Sequence, residues 1–205
     1  MKAPAKRSSI LTKEHILDAA QHRFEHYGLA KVTMDEIALD AGIGKASIYY
    51  YFPTKESLFK AVIVEKHDAL IKRIREIMAC DVAASDKITS YVEERFQYFT
   101  ALMNLNILEL QSPSGVKPVF REMFDVFAQE ELSYLRRILQ EGKRSREFRV
   151  DSIAHVAEAF LHVMQGLRMR FLRRRRVPKI ETQEYKHLKE ELDLVTGIFL
   201  QGISR

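Results

Sequence analysis

The residues best placed to do chemistry lie in one stretch, 28–59. Within it, residues 44–51 read Gly-Lys-Ala-Ser-Ile-Tyr-Tyr-Tyr. On a helix, Lys45, Ala46, Ser47 and Tyr50 share an outer face at its N-terminal end, and Ile48 turns inward. Small and polar side chains so placed suit hydrogen bonding along a polar surface. A helix with that face fits the major groove of duplex DNA, which is about 12 Å wide. The charge balance agrees: 33 Lys and Arg against 28 Asp and Glu give a net +5. That surplus is compatible with a nucleic-acid partner without establishing one.

Nothing comparable points to turnover. The sequence has no glycine-rich phosphate loop, no His-Glu-x-x-His and no nucleophile elbow. His26, His67, His155 and His162 have no identifiable partnered nucleophile. The single Cys80 excludes an intramolecular disulfide framework and any multi-cysteine zinc site. The reading is therefore a non-enzyme with no cofactor and no metal. No apolar run approaches the roughly 20 residues of a membrane span. The basic N-terminus lacks the apolar core of a signal peptide. A cytoplasmic protein without a membrane partner is expected.

The elements that must position these residues are helices. The 205 residues include 8 Gly and 5 Pro, about half the average supply of turn formers. That argues against a sandwich or barrel and for few, long helices. About nine are expected. A basic arm over 1–9 precedes a helix carrying Ile16, Leu17, Ala20, Phe24 and Tyr27 at i, i+4 spacing, closed by Gly28. Thr33 and Glu36 have capping-box spacing at the start of a helix over 33–41. Gly42 turns the chain into a third helix over 44–51. Two short helices joined by a glycine turn form a helix-turn-helix, with Ala38 and Ala41 at the close crossing. Pro53 and Thr54 precede a long helix, 55–79. Further helices are expected over 86–103, 105–110, 116–142, 152–175 and 181–201, with a loop at 111–115. The change in helix length suggests two domains, 1–54 and 55–205.

The run Ala41-Gly-Ile-Gly-Lys-Ala-Ser-Ile-Tyr-Tyr-Tyr-Phe-Pro-Thr-Lys-Glu-Ser-Leu58 resembles the DNA-binding domain of TetR-family transcriptional regulators almost position by position. The resemblance extends back through Ile37 and Thr33 to Gly28 and Phe24, covering about residues 10–60. It implies an all-α protein: an N-terminal three-helix DNA-binding domain and a larger C-terminal helical domain for effector binding and dimerisation. It implies that Lys45, Ala46, Ser47 and Tyr49 meet bases or flanking backbone. Tyr50 and Tyr51 then contact phosphate at the groove edge. Lys55 neutralises a phosphate beside a helix N-terminus, and Thr33 caps its helix and donates to phosphate. By residue type, Tyr49 and Phe52 also suit the core. Gly44 departs from relatives with a side chain at that position, giving up a cap.

The second half matches only in length and helix count. Small residues mixed with Phe160 and Leu167 on one helix, and the seam Leu188, Leu192, Val195 and Phe199 on the last, suit helix pairing. The family implies a homodimer formed by these helices, hence two recognition helices and a palindromic operator; packing within one chain is the alternative. Phe96, Phe99, Met103, Phe120, Met123, Phe124 and Phe127, with His162, suit either an ordinary core or a pocket for a small apolar or aromatic effector. The arginines at 168, 170 and 173–176 suit a solvated face, an anionic ligand group or a second nucleic-acid contact. Together these features lead to a ligand-responsive homodimeric repressor.

Overall fold

The computed structural model describes residues 4–105, 111–112, 115–116, 118–173 and 182–204. Eight helices are present among them: α1 (Pro4–Lys31), α2 (Met34–Asp40), α3 (Lys45–Tyr51), α4 (Lys55–Ala79), α5 (Ala84–Asn104), α6 (Pro118–Arg144), α7 (Ile153–Arg173) and α8 (Thr182–Ile203). The ninth expected helix, over 105–110, lies outside the described residues beyond Leu105. The expected loop at 111–115 carries a two-residue antiparallel pairing, β1 (Gln111–Ser112) with β2 (Gly115–Val116).

The start of the chain differs from the expected arm. Residues 4–9 are already helical. Proline is tolerated in a first helical turn, where its missing N–H has no partner to lose, and Ala, Lys and Arg favour helix thereafter. At the far end, Gly28 interrupts α1 with φ 75° and ψ 163°, a conformation open essentially to glycine alone. The interruption lets Leu29 and Val32 turn inward, where both are buried.

Two compact units form. One comprises Met1–Asp68 with Ala101–Phe120, the other Ala69–Thr100 with Arg121–Arg205. The boundary falls within α4 rather than before it, as the 1–54 and 55–205 division had it. The reason is packing: Leu58, Phe59, Val62 and Ile63 are fully buried, and Phe59 meets Phe24 edge-on at 4.9 Å between ring centroids. The first half of α4 is thus part of the first unit's core, with Ile16, Ala20, Ile37 and Ile48.

The second unit is fixed by long-range contacts at one corner. A Cβ added to Gly142 would lie 2.2 Å from the Phe148 ring and 2.9 Å from the Ala84 Cβ, so only glycine allows this approach. Beside it, the Glu147 carboxylate accepts from the Ala84 and Ser85 backbone N–H groups, both at 2.8 Å. It thereby caps α5 from more than sixty residues away in sequence. Burial opposes the charge, but these hydrogen bonds hold the carboxyl below its ordinary value.

Candidate nucleic-acid interface

The site is built around α2 and α3. Thr33 caps α2: its Oγ1 accepts from the Glu36 N–H at 3.3 Å, and the Glu36 carboxylate accepts from the Thr33 N–H at 2.8 Å. The expected capping box is present. The Thr33 hydroxyl also donates to that carboxylate at 2.8 Å, and this bond first, then the N–H bond, holds the Glu36 carboxyl below its ordinary value. The end of α2 closes as a Schellman motif. Ile43 N–H donates to Ala38 O at 3.0 Å and Gly42 N–H to Leu39 O at 3.1 Å. Gly42 has φ +66° and open space around its missing Cβ, so its backbone conformation, not crowding, calls for glycine. The Arg23 guanidinium donates to the Asp40 carboxylate at 2.9 Å, tying α1 to α2.

α3 begins at Gly44 with no side-chain cap, as its sequence implies. Ile48 is its anchor, fully buried. The opposite face is open: Lys45, Ala46, Ser47, Tyr49 and Tyr50 are all exposed. Tyr50 is 83% exposed and Tyr49 42%, so Tyr49 is not a core residue, whereas Phe52 is buried. Tyr51 is half-buried and meets Tyr50 edge-on at 5.4 Å. Lys45 Nζ donates to Asp35 Oδ2 at 2.7 Å on the open surface. Such an exposed pair, screened by solvent, adds little, and a phosphate can displace it.

Lys55 sits differently. Its ammonium donates to the Val32 carbonyl at 2.7 Å and to the Ala30 carbonyl at 3.4 Å. The lysine therefore clamps the chain after Gly28 to the start of α4. That helix is capped by Thr54 and Ser57, with Ser57 N–H to Thr54 Oγ1 at 3.0 Å and Thr54 N–H to Ser57 Oγ at 3.2 Å.

The family model for bacterial regulatory proteins of the tetR family matches residues 16–62, the stretch that holds these helices. A transcriptional regulator of solved structure from Cytophaga hutchinsonii is 38% identical, with 94% of this chain and 98% of that chain covered and a TM-score of 0.87. The chain belongs to the TetR family. It is also similar to the transcriptional regulator RutR of Escherichia coli K12, 34% identical over 103 residues, or 48% of this chain and 49% of RutR. This match spans about half the length of RutR. The transcriptional repressor KstR2 of Rhodococcus jostii is 25% identical over 192 residues, covering 88% of this chain and 89% of KstR2.

TetR-family membership leaves the second half to be settled by the structure. The residues expected at a partner interface divide between buried and half-buried. Phe160, Leu188 and Leu192 are buried, and Phe160 stacks on Phe199 at 4.2 Å; Leu167, Val195 and Phe199 are half-buried. Leu188 and Leu192 of the 4-3-4 seam of α8 thus lie in the chain's own core, while Val195 and Phe199 are only partly covered. The same two helices carry a second apolar set that is open: Val163 and Met169 on α7, Leu194 and Ile198 on α8. Open space surrounds Gly166, Gly197 and Gly202. Met169, Leu194 and Ile198 were missed because a helix apolar on two sides shows no single seam.

The expected effector-lining set divides. Met103 and Phe120 are buried in the first unit, where Phe120 meets Phe59 at 5.9 Å. Phe96, Phe99, Met123, Phe124 and Phe127 belong to the second unit, with Phe99 edge-on to Phe171, Phe96 to Tyr185 and Phe124 to Phe127. His162 is exposed on α7 beside Val163, away from any buried lining. The second unit instead buries a polar cluster that pattern reading missed. Tyr91 donates to Glu131 at 2.9 Å, and Arg95 pairs with the same carboxylate. The available signal was an arginine on the otherwise apolar stripe Ile88, Tyr91, Val92, Phe99 and Leu102 of α5.

Among the described residues no helix is long and apolar enough to cross a membrane.

Proposed function

We propose that this TetR-family transcriptional regulator is a homodimeric, effector-released repressor that reads a palindromic operator. The observation that carries the DNA-binding part is α3: fully buried at Ile48 and open at Lys45, Ala46, Ser47, Tyr49 and Tyr50. A helix held from behind and bare in front can enter the major groove without unfolding anything. Ser47 and Tyr49 then face base edges, while Lys45, Tyr50, Tyr51 and Thr33 approach phosphates, which position the helix without reading sequence. Two-fold pairing through the open faces of α7 and α8 supplies the second recognition helix. The similarity to KstR2, a repressor by name, favours repression. A small, largely apolar effector that binds better to a conformation unable to hold DNA would release the operator. The reading keeps the protein in the cytoplasm, with no catalytic step.

The test is selection of bound sequences from random duplex DNA, followed by affinity measurement with Tyr50→Ala. A palindromic consensus is expected, and Tyr50→Ala should weaken binding at least tenfold while the unfolding midpoint holds, since so exposed a side chain contributes less than about 0.5 kcal/mol to stability. Absence of any enriched sequence, or equal binding by the variant, would overturn the assignment.

A further inference from the structure

The buried polar cluster of the second unit has more positive than negative charge. Arg95 and Glu131 are both buried, and they pair. Tyr91, also buried, donates to the other Glu131 oxygen at 2.9 Å. Each oxygen of that carboxylate therefore accepts from one donor. Arg95 Nε is buried and has no hydrogen-bond partner. Arg168 enters from α7, half-buried, with its Nε donating to the Met164 carbonyl at 3.3 Å and its guanidinium 5.9 Å from the Phe99 ring centre. No described carboxylate pairs with it. Burial, and next the Arg95 charge, push Arg168 below the usual guanidinium range, with Glu131 pulling the other way.

One carboxylate, paired with Arg95 alone, thus stands against two guanidinium groups, and one buried N–H has nothing to donate to. A buried charge without a counter-charge is costly, and a guanidinium is shaped to take a carboxylate through paired N–H groups. Arg95 and Arg168 line one cavity together with Phe96, Met164 and Leu192. Its volume is about 10 Å³, room for about one water molecule. Tyr91 and Val92 complete its lining, and the surface it exposes in this form is apolar.

We propose that Arg95 and Arg168 form the acid-binding end of the effector site, taking the carboxylate of a small organic acid whose apolar body lies along Phe96, Met164 and Leu192. This rests on the effector-responsive reading above and adds a charge to its apolar effector. Because the cavity holds about one water, the acid selects a widened form of the second unit, and that requirement is what makes its binding a signal rather than a passive filling. It also gives Arg168 a role apart from the arginines that follow it.

Isothermal titration calorimetry tests the proposal with two probes, decanoate and 1-naphthoate, each paired with its neutral carboxamide. At least one acid should bind the parent protein tenfold or more tightly than its amide. Arg168→Gln should lose at least tenfold for the acid and less than threefold for the amide, and Arg168→Lys should recover part of the loss. Equal binding of acid and amide by the parent overturns the proposal without reference to any variant. So does an unchanged affinity in Arg168→Gln, or failure of both acids to bind. Operator binding by the ligand-free chain is measured alongside. If that binding is intact while acids are not preferred, only the acid site falls; if it is missing, the regulator reading itself falls.

Discussion

Lys55 separates two accounts of how the DNA-binding unit works. Family resemblance casts it as a phosphate contact, whereas the structure places its ammonium on the Val32 and Ala30 carbonyls, at 2.7 and 3.4 Å. Lys55→Met removes the clamp and keeps the aliphatic stem. A hydrogen bond to a charged group contributes about 1.5–3 kcal/mol. One of the two contacts is long and the residue is half-buried, so the expected loss is about 1–2 kcal/mol. For a chain of this size that lowers the unfolding midpoint by about 2–8 °C. The segment after Gly28 would then hold α1 and α4 less firmly, and operator affinity should fall. Its dependence on salt should not, because no phosphate charge has been lost. A phosphate-contacting lysine behaves in the opposite way: stability is unchanged, and the slope of log affinity against log salt becomes shallower by about 0.9 for each protomer bound. Thermal unfolding and DNA titration at four salt concentrations measure both quantities. An unmoved midpoint with a shallower slope would refute the clamp.

Two further outcomes follow from the second unit. Leu194 and Ile198 are 65% and 60% exposed on α8; if they pair with a second copy, Leu194→Asp should weaken the dimer by at least about 2 kcal/mol, roughly 30-fold in its dissociation constant, as read by sedimentation, whereas an unchanged mass distribution would place the interface elsewhere. Glu147 has its carboxyl held below the ordinary value of 4.5 in the folded chain. The stability it contributes is therefore full above that pH and lost as pH falls through the lowered folded value. Glu147→Gln should flatten the acid limb of the stability curve, and identical acid limbs would show that the carboxylate does not cap α5.

The amino-acid sequence by itself determined the helical class, the capping box at Thr33 and the helix-turn-helix. Those features are local. A capping residue and the group it caps are three apart, a glycine turn needs one αL residue, and an inward isoleucine is set by helical periodicity. Hence Thr33, Gly42, Ile48 and Thr54 act as their positions suggest. Tertiary structure decided what depends on partners distant in sequence. Lys55 faces carbonyls more than twenty residues away, and Glu147 caps a helix more than sixty residues away. The apolar seam of α8 could have met another chain or its own core, and folding puts Leu188 and Leu192 in that core. The same holds for Arg95 and Arg168. One lies on an apolar stripe and the other near an arginine run, and only folding brings both to the cavity served by a single carboxylate. Periodicity tells which side of a helix is apolar; it does not tell what lies opposite, and that is what fixes the charge balance of a buried site.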